Sequence, residues 1–354
     1  MVRARLTFCG LWGTLRRMDN QKVQSALQRL GEPGFRLKQI RQAVFVDLVG
    51  EWSEVTTISK ALRETLTEEA PLKSLTLERE AASRDGRTLK LALRTDDGQL
   101  IEAVLMRHED GRRTVCVSSQ AGCPMGCSFC ATGKLGLQRN LSAEEMLDQV
   151  LEFSRRLKSA GERVSNVVVM GMGEPMHNLD NVLAALREMN AADGLAIGAR
   201  RISVSTCGIV PGIERLAGEP EQFNLAVSLH APTQDLRERM MPVAKAYPLD
   251  RLMNACRDYA ERTGRKIFFE YLLISGLNDS AETAEDLADL MNHPLYHVNL
   301  IKYHSTGDYV TAPRERREAF MAVLEKRGVS VSWRHSYGED IDAACGQLAG
   351  KSRK

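Results

Sequence analysis

The sequence feature that most constrains the fold is the alternation of apolar strand patterns with helical patterns from about Thr114 onward. Short apolar runs predict seven strands, at Val115–Ser118, Val167–Met170, Ile202–Ser205, Leu225–Ser228, Ile267–Leu273, Val298–Ile301 and Val329–Trp333. Helical spacing predicts the intervening helices, at Ala143–Leu157, Leu179–Met189, Leu249–Arg262, Ala281–Met291 and Arg314–Lys326. Such units form a parallel sheet, flat or curled into a full or partial barrel, with ligands at the carboxyl ends of the strands. We therefore predict an α/β fold with its site at those ends.

The first part of the chain has a different pattern. Helical spacing covers Gln21–Leu30, Arg36–Leu48 and Ile58–Leu66, and strand patterns follow at Leu75–Leu77, Thr88–Leu93 and Leu100–Met106. We predict a small N-terminal helical accessory domain with the start of the linking strands over residues 1–95, and the main α/β domain over residues 96–350.

Composition limits the class of protein. The 354 residues include 48 basic and 46 acidic side chains, a balance that argues against a polybasic binder. No apolar stretch is long enough to span a membrane. Residues 1–17 lack a small-residue cleavage site, so we interpret them as a disordered lead-in, or as a start chosen upstream of Met18, rather than a secretion signal. Three of the eight cysteines fall within eight residues, which is no secreted disulfide framework and predicts a cytoplasmic protein.

The cysteine cluster is the strongest chemical signal. Cys123, Cys127 and Cys130 form a CxxxCxxC loop just after the first strand of the main domain. Three thiolates at this spacing suit a soft metal site. A 4Fe–4S cluster held by three cysteines leaves one iron open to an outside ligand. Structural zinc requires four ligands, and Cys116 offers the fourth.

Several motifs together resemble one family. The CxxxCxxC loop resembles the cluster loop of radical S-adenosylmethionine (SAM) enzymes, in which SAM chelates the fourth iron. The surrounding motifs resemble the Cfr/RlmN group of RNA adenine methyltransferases, and they are Val117-Ser-Ser-Gln-Ala-Gly-Cys123, Cys130-Ala-Thr-Gly-Lys-Leu-Gly-Leu137, Met170-Gly-Met-Gly-Glu-Pro175, Val227-Ser-Leu-His230, His297-Val-Asn-Leu-Ile301 and Asp340-Ile-Asp-Ala-Ala-Cys-Gly-Gln-Leu348. The resemblance runs from about Gly31 to Gly350 and implies a partial (βα)6 radical SAM barrel.

The resemblance also implies the residues that hold the cofactors. The cluster ligands are Cys123, Cys127 and Cys130, and the SAM-binding positions are Gly173, Glu174, Ser205, Ser228, Leu229, His230 and His304. His304 stands where related sequences carry Asn. Read without the resemblance, the glycines before Glu174 are also typical of a tight turn, Ser205 of a helix cap and His230 of a core histidine.

Three further residues receive catalytic roles from the resemblance. Cys345 accepts a methyl group from SAM and carries it as S-methylcysteine. Cys116 later attacks Cys345, forming a transient disulfide as the product leaves. Glu102 matches the proton acceptor, and its alternative is a solvent-facing strand carboxylate.

The resemblance implies a radical SAM-dependent methyltransferase acting on carbon 8 or carbon 2 of an adenosine in 23S rRNA. The choice of ring carbon, and transfer RNA (tRNA) as a further substrate, stay open. The implied setting is a cytoplasmic monomer with no membrane attachment and an electron donor such as flavodoxin. The predicted phosphate contacts are Arg112, Arg113, Lys134, Arg139, Arg155, Arg156, Arg200, Arg201, Arg314, Arg316, Arg317 and Lys351 to Lys354. The alternatives are a non-catalytic zinc-stabilised RNA-binding protein and a radical SAM enzyme with another substrate, which would have no use for Cys345 and Cys116.

Overall fold

The structure, a computed structural model, describes residues 20–307 and 309–349. The interpretation of residues 1–17 and the phosphate contacts at residues 351–354 lie outside that range. The helices are α1 Asn20–Arg29, α2 Phe35–Arg41, α3 Lys60–Glu69, α4 Ala143–Lys158, α5 Leu179–Asn190, α6 Val210–Gly218, α7 Gln234–Met240, α8 Leu249–Thr263, α9 Ala281–Leu290 and α10 Arg314–Lys326. None of these described helices is long and apolar enough to cross a membrane.

The strands form one large sheet and one hairpin within the described residues. Their bounds are β1 Leu75–Ala82, β2 Thr88–Thr95, β3 Leu100–Arg107, β4 Arg113–Cys116, β5 Gln120–Cys123, β6 Gly136–Asn140, β7 Asn166–Val169, β8 Ile202–Thr206, β9 Asn224–Ser228, β10 Ile267–Leu273, β11 Tyr296–Lys302 and β12 Val331–Arg334. The large sheet runs β1-β2-β3-β4-β7-β8-β9-β10-β11-β12, and β5 pairs with β6.

The direction of the strands changes at β4. The pairs from β1 to β4 are antiparallel, whereas each pair from β4 through β12 is parallel. Helices connect the successive parallel strands, giving six βα units in the part of the chain that is described. Because β1 and β12 are the two edges and do not pair with each other, the sheet does not close. The predicted partial (βα)6 barrel is confirmed.

Some elements of the structure differ from those that the sequence pattern predicts. The helices α6 and α7 and the β5–β6 hairpin were not predicted. Pro211 and Gly212 in α6 read as turn residues, yet proline is well placed in a first helical turn, where its missing N–H needs no partner. The helix predicted over Arg36–Leu48 ends as α-helix at Arg41 and continues as a π-helix over Gln42–Val46.

The N-terminal helices pack against the barrel through a buried arginine. Arg41 Nε donates to Asp193 at 2.7 Å, and its terminal nitrogen donates to Glu188 of α5 at 2.9 Å. The predicted boundary at residue 95 lies between β2 and β3, which pair with each other in the same sheet as the parallel strands. That boundary stays a prediction.

A buried carboxylate connects α4 to the start of β1. Asp148 is 5 % exposed and accepts hydrogen bonds from the backbone N–H groups of Ser74 and Leu75, at 2.9 and 3.1 Å. Burial raises the pKa of Asp148 to about 6, although Arg155 and these N–H groups oppose the shift. Since the folded pKa exceeds that of the unfolded chain, the stabilising contribution is present at low pH and is lost as the pH rises towards about 6.

We expect the Asp148→Asn variant to gain stability over the parent as the pH rises. Asparagine keeps an oxygen for the two N–H groups and cannot ionise. From about pH 5 to pH 7.5 its Tm, relative to the parent, should increase by a few degrees, since a pKa shift of this size is worth about 3 kcal/mol at most. Asp180→Asn, on a side chain 68 % exposed, is the control. A Tm difference independent of pH would contradict the prediction.

The residues after β12 cross the open side of the barrel, and we call residues 335–349 the closing segment. The Tyr337 hydroxyl lies 3.0 Å from Nδ1 of His108, beyond β3. Lys90 Nζ, on β2, donates to the carbonyl of Asp342 at 2.9 Å. Gly338 lies so close to β2 that a Cβ there would be 2.6 Å from a methyl of Thr88. The closing segment therefore joins the β12 edge to the antiparallel strands, and it carries Cys345 into the barrel.

Candidate active site inside the barrel

A cavity of about 550 Å³ occupies the barrel interior and holds most of the predicted site residues. Those that border it are Cys116, Cys123, Cys127, Cys130, Gly173, Glu174, Ser205, Ser228, His230, His304 and Cys345. The other two, Leu229 and Glu102, are buried beside it without bordering it. The cavity also reaches Arg200 and Asn224 at the amino ends of β8 and β9, so it runs the length of the barrel.

The cysteine loop starts at the end of β5, where the close approach of Gly122 to β6 fixes its path. Gly122 has a φ of +75°, and a Cβ there would lie 1.9 Å from the carbonyl oxygen of Gly136, so only glycine fits under β6. Burial raises the pKa of Cys123 to about 12 and that of Cys127 further. Without metal these thiols are therefore protonated, and cluster binding would replace the protons.

The thiols fall into two groups. The charges of Cys123, Cys127 and Cys130 affect one another, whereas the thiol that affects Cys116 is Cys345. Within the described residues no three His, Cys, Asp or Glu side chains are placed around a single metal ion. A cluster, in contrast, presents separate iron atoms to separate thiolates. The three loop cysteines therefore fit a cluster, and the zinc alternative lacks its predicted fourth ligand, Cys116.

The glycine-rich loop after β7 packs on the segment that leads into the cysteine loop. A Cβ on Gly173, whose φ is +108°, would lie 2.7 Å from Cβ of Gln120. The side-chain oxygen of Gln120 accepts from the Glu174 N–H at 2.8 Å. The Glu174 carboxylate accepts from the N–H groups of Met176 and Cys207, at 3.0 and 2.7 Å. Glu174 thus already fixes the loops after β7 and β8, and its remaining lone pairs are available for an ammonium group at the cavity.

We expect the Gly173→Ala variant to lose SAM affinity by about tenfold or more, because the added methyl pushes the loop off Gln120 at a cost of about 1–3 kcal/mol. Equilibrium SAM binding and thermal unfolding of the reconstituted protein would measure both effects. Gly161→Ala is the matched control, since Gly161 also has a positive φ, +69°, but has nothing within 4 Å of an added Cβ. Unchanged SAM affinity in Gly173→Ala would contradict the prediction.

Two histidines, which follow β9 and β11, have their ring nitrogens fixed by neighbouring polar groups. His230, with a φ of +58°, accepts from the Leu272 N–H through Nδ1 at 3.1 Å. Burial lowers the pKa of His230 to about 3, so its ring is neutral and carries its proton on Nε2. His304 lies 2.7 Å from the hydroxyl of Ser336 through Nε2 and 3.4 Å from Glu339 through Nδ1. His304 therefore contacts the closing segment through both ring nitrogens.

The closing segment is bonded to the cysteine loop on either side of Cys345. The Ala131 N–H donates to the carbonyl of Gly346 at 2.8 Å, and the Thr132 hydroxyl donates to that of Leu348 at 2.5 Å. Cys345 is exposed, and Cys116 is 9 % exposed at the end of β4. All described cysteines are free thiols, so the predicted disulfide between Cys116 and Cys345 is not present in this structure.

Glu102 is buried, so its interpretation as a solvent-facing carboxylate is wrong. It is 2 % exposed, its Oε1 lies 3.1 Å from Lys90 Nζ, and its Oε2 accepts from the Ala349 N–H at 2.9 Å. Side chains alternate along a strand, which places Glu102 on the same face of β3 as Val104, and Val104 pairs with Cys116. Its role as proton acceptor stays a prediction.

A polar group at the floor of the cavity was not predicted. Arg334 of β12 pairs with Glu270 of β10 at 3.1 Å, and Glu270 accepts from Asn299 of β11 at 2.9 Å. All three border the cavity. The sequence feature that could have predicted this group is that Glu270 and Asn299 interrupt otherwise apolar strand runs. Such interruptions are typical of strands that face a polar interior.

The predicted phosphate contacts divide by position. Arg112, Arg200 and Arg201 border the cavity. Of these, Arg112 also pairs with Asp110 at 2.7 Å, and Arg200 donates to Gln222 at 2.8 Å. Away from the cavity, Arg139 pairs with Asp97 and Glu145, and Lys134 donates to the carbonyl of Thr306. Arg113, Arg155, Arg156, Arg314 and Arg317 also form ion pairs.

Comparison with known proteins identifies the family. The family model described as the radical SAM superfamily matches residues 117–291, and the ribosomal RNA large subunit methyltransferase N-terminal domain matches residues 14–72. Proteins named probable dual-specificity RNA methyltransferase RlmN are 46 % identical in Halalkalibacterium halodurans and 47 % identical in Bacillus thuringiensis, each alignment covering 94 % of this chain and 92 % of the relative.

The fold agrees with a solved relative. A radical SAM methyltransferase from Sphaerobacter thermophilus superposes with a TM-score of 0.91 at 45 % identity, over 95 % of this chain and 98 % of that one. The predicted family and methyltransferase activity are confirmed, and with them the cofactors of the superfamily. The chain therefore belongs to the RlmN family of radical SAM methyltransferases, and its cofactors are a 4Fe–4S cluster and SAM.

Proposed function

We propose that this protein methylates carbon 8 or carbon 2 of an adenosine in 23S rRNA through a methyl group carried on Cys345. One observation supports this more than any other. Cys116, from the first strand of the barrel, and Cys345, from the closing segment, both border the cavity that the three-cysteine loop also borders, and the charge of Cys345 raises the pKa of Cys116. A radical SAM enzyme with a different mechanism has no need of this second pair of thiols.

The residues present fit both cofactors. Cys123, Cys127 and Cys130 would hold the cluster, because three soft donors leave one iron for SAM. The SAM-binding set would be Gly173, Glu174, Ser205, Ser228, His230 and His304, while the buried Leu229 would position its neighbours. When bound, the cluster and SAM supply one-electron chemistry that removes a hydrogen atom, and SAM also supplies the methyl group.

The two thiols would act in sequence. Cys345 accepts the methyl group as a thiolate, forming a carbon–sulfur bond as the bond from that carbon to the sulfonium of SAM breaks. After the carbon has been attached to adenine, the thiolate of Cys116 would attack the sulfur of Cys345. The sulfur–sulfur bond forms as the sulfur–carbon bond breaks, and the carbon keeps the electron pair and takes up a proton to become the methyl group of the product. A thiol reductant then restores both thiols. The charge of Cys345 is one cause of the raised pKa of Cys116, so methylation of Cys345 makes Cys116 more acidic.

A proton must also leave the adenine ring. Glu102 would accept it, because it lies on the same face of the sheet as Val104, the partner of Cys116. Its present partners are Lys90 and the backbone of Ala349 in the closing segment, so accepting a proton is coupled to the position of that segment.

The RNA would enter with its target base turned out of the stack, since a stacked base cannot reach the barrel interior. Arg112, Arg200 and Arg201 border the cavity and would contact phosphates. The relatives are named dual-specificity RNA methyltransferases, which supports testing tRNA beside 23S rRNA. A flavodoxin-type electron donor, a monomeric state and a cytoplasmic location complete the proposal.

The test uses anaerobically purified, reconstituted protein with reductant, SAM and unmethylated fragments of 23S rRNA or tRNA. The RNA is digested, and its nucleosides are separated and identified by mass spectrometry against standards methylated at carbon 2 and carbon 8. Methyladenosine is the expected product, and its retention time decides the ring carbon. SAM cleavage without methyladenosine on either RNA would contradict the proposal.

A further inference from the structure

The cavity floor contains a half-buried cation that the mechanism above does not use. Arg334, at the end of β12, is 29 % exposed and borders the cavity. Its charge acts on both Cys116 and Cys345. Both terminal nitrogens of Arg334 lie 3.7 Å from Sδ of Met170, and the backbone N–H of Met170 lowers the pKa of Cys116.

Arg334 is held in place by a chain of polar contacts across three strands. Glu270 binds one terminal nitrogen at 3.1 Å through one carboxylate oxygen, and its other oxygen accepts from Asn299 at 2.9 Å. The Asn299 oxygen in turn accepts from the hydroxyl of Ser332 at 3.0 Å. A guanidinium held this way loses little freedom when it acts on a nearby anion, so it is pre-organised for that task.

Among the described groups that affect the pKa of Cys116, Arg334 is the cation. The closing segment contributes Cys345, which raises the pKa of Cys116, as burial does more strongly, to about 12. The β7 side contributes the Met170 N–H, and β3 contributes Val104, which is apolar. Both predicted steps at these cysteines need a thiolate, because the thiol itself is a poor nucleophile.

We propose that Arg334, fixed by Glu270 and Asn299, is a positioning residue that stabilises the thiolates of Cys116 and Cys345. Its catalytic meaning rests on the proposed function, since it prepares one thiol for methyl acceptance and the other for product release. The charge effect itself depends on neither RNA nor SAM, so it is measured separately from methylation.

The test is the rate at which iodoacetamide alkylates Cys116 and Cys345 in the reconstituted full-length protein, followed by peptide mass spectrometry across pH 6 to 10. In Arg334→Gln we expect the alkylation of both residues at pH 8 to slow by about tenfold and the profile of Cys116 to move to higher pH, as loss of an adjacent opposite charge predicts. Arg334→Lys should restore part of the rate, and Glu270→Gln, which frees the guanidinium, should slow it less.

Arg317→Gln is the matched control, because the Arg317 guanidinium stacks on the Trp333 ring of the same strand at 4.5 Å and does not border the cavity. Its alkylation rates should equal those of the parent. Equal rates in folded Arg334→Gln would overturn the inference. Should Arg334→Gln fail to fold, parent rates in both Arg334→Lys and Glu270→Gln would overturn it equally. Altered alkylation in a protein that makes no methyladenosine would reject the proposed function and keep this inference.

Discussion

Replacing Cys345 with alanine is expected to reduce RNA methylation by about a thousandfold or more, the scale seen when an enzyme loses its nucleophile. Cys345 is the exposed thiol that the closing segment places in the cavity beside Cys116. After incubation with SAM, the peptide containing residue 345 should be one methyl group heavier in the parent and unchanged in the variant. Mass spectrometry of that peptide and of the digested RNA measures both effects.

Two other cysteine variants make this expectation specific. Cys256→Ala removes a thiol that is 0 % exposed in α8 and does not border the cavity, so methylation should persist. Cys116→Ala retains the methyl acceptor but lacks the thiol that releases product, so RNA should remain covalently attached to the protein. Methyladenosine formed by Cys345→Ala at the parent rate would refute the role of Cys345.

The second large effect is expected at the cluster loop. Cys127→Ala should lose the bound iron, the visible absorbance of the cluster and all detectable SAM cleavage, because two remaining loop thiolates cannot hold a cubane that needs three. Iron and sulfide analysis, the absorbance spectrum and the release of methionine from SAM measure these losses. The buried position of Cys127 means that no exposed thiol replaces it without moving the loop.

Cys207→Ala is the matched control for that experiment, because it removes another buried cysteine at the same cavity. Cys207 is a buried thiol that borders the cavity, and the charge of Cys127 is one cause of its raised pKa. It lies outside the CxxxCxxC loop, at the end of β8, where its backbone N–H is bound by Glu174. The variant should retain full iron content. Loss of iron in Cys207→Ala, or retention in Cys127→Ala, would show that the loop cysteines are not the cluster ligands.

Much of the fold could be predicted from sequence because its signals are local. The helix α10 was predicted with its observed bounds, Arg314–Lys326, and β10 with its bounds, Ile267–Leu273. The helix α6 was missed because Pro211 and Gly212 are typical of a turn, and α7 was missed because its seven residues carry only two apolar side chains, Leu236 and Met240. The β5–β6 hairpin was missed because its residues serve the cysteine loop rather than an alternating strand pattern.

The type of chemistry could be predicted from the sequence, since a three-cysteine loop and the motifs around it specify their ligands through residue type and close spacing. The meeting of distant groups depends on the folded chain. The fold placed Cys345 beside Cys116, buried Glu102 against Lys90 and Ala349, and set Arg334 on Glu270 at the cavity floor. The physical reason is that these contacts join residues far apart in the chain, and the closing of the barrel, which no local pattern records, brings them together.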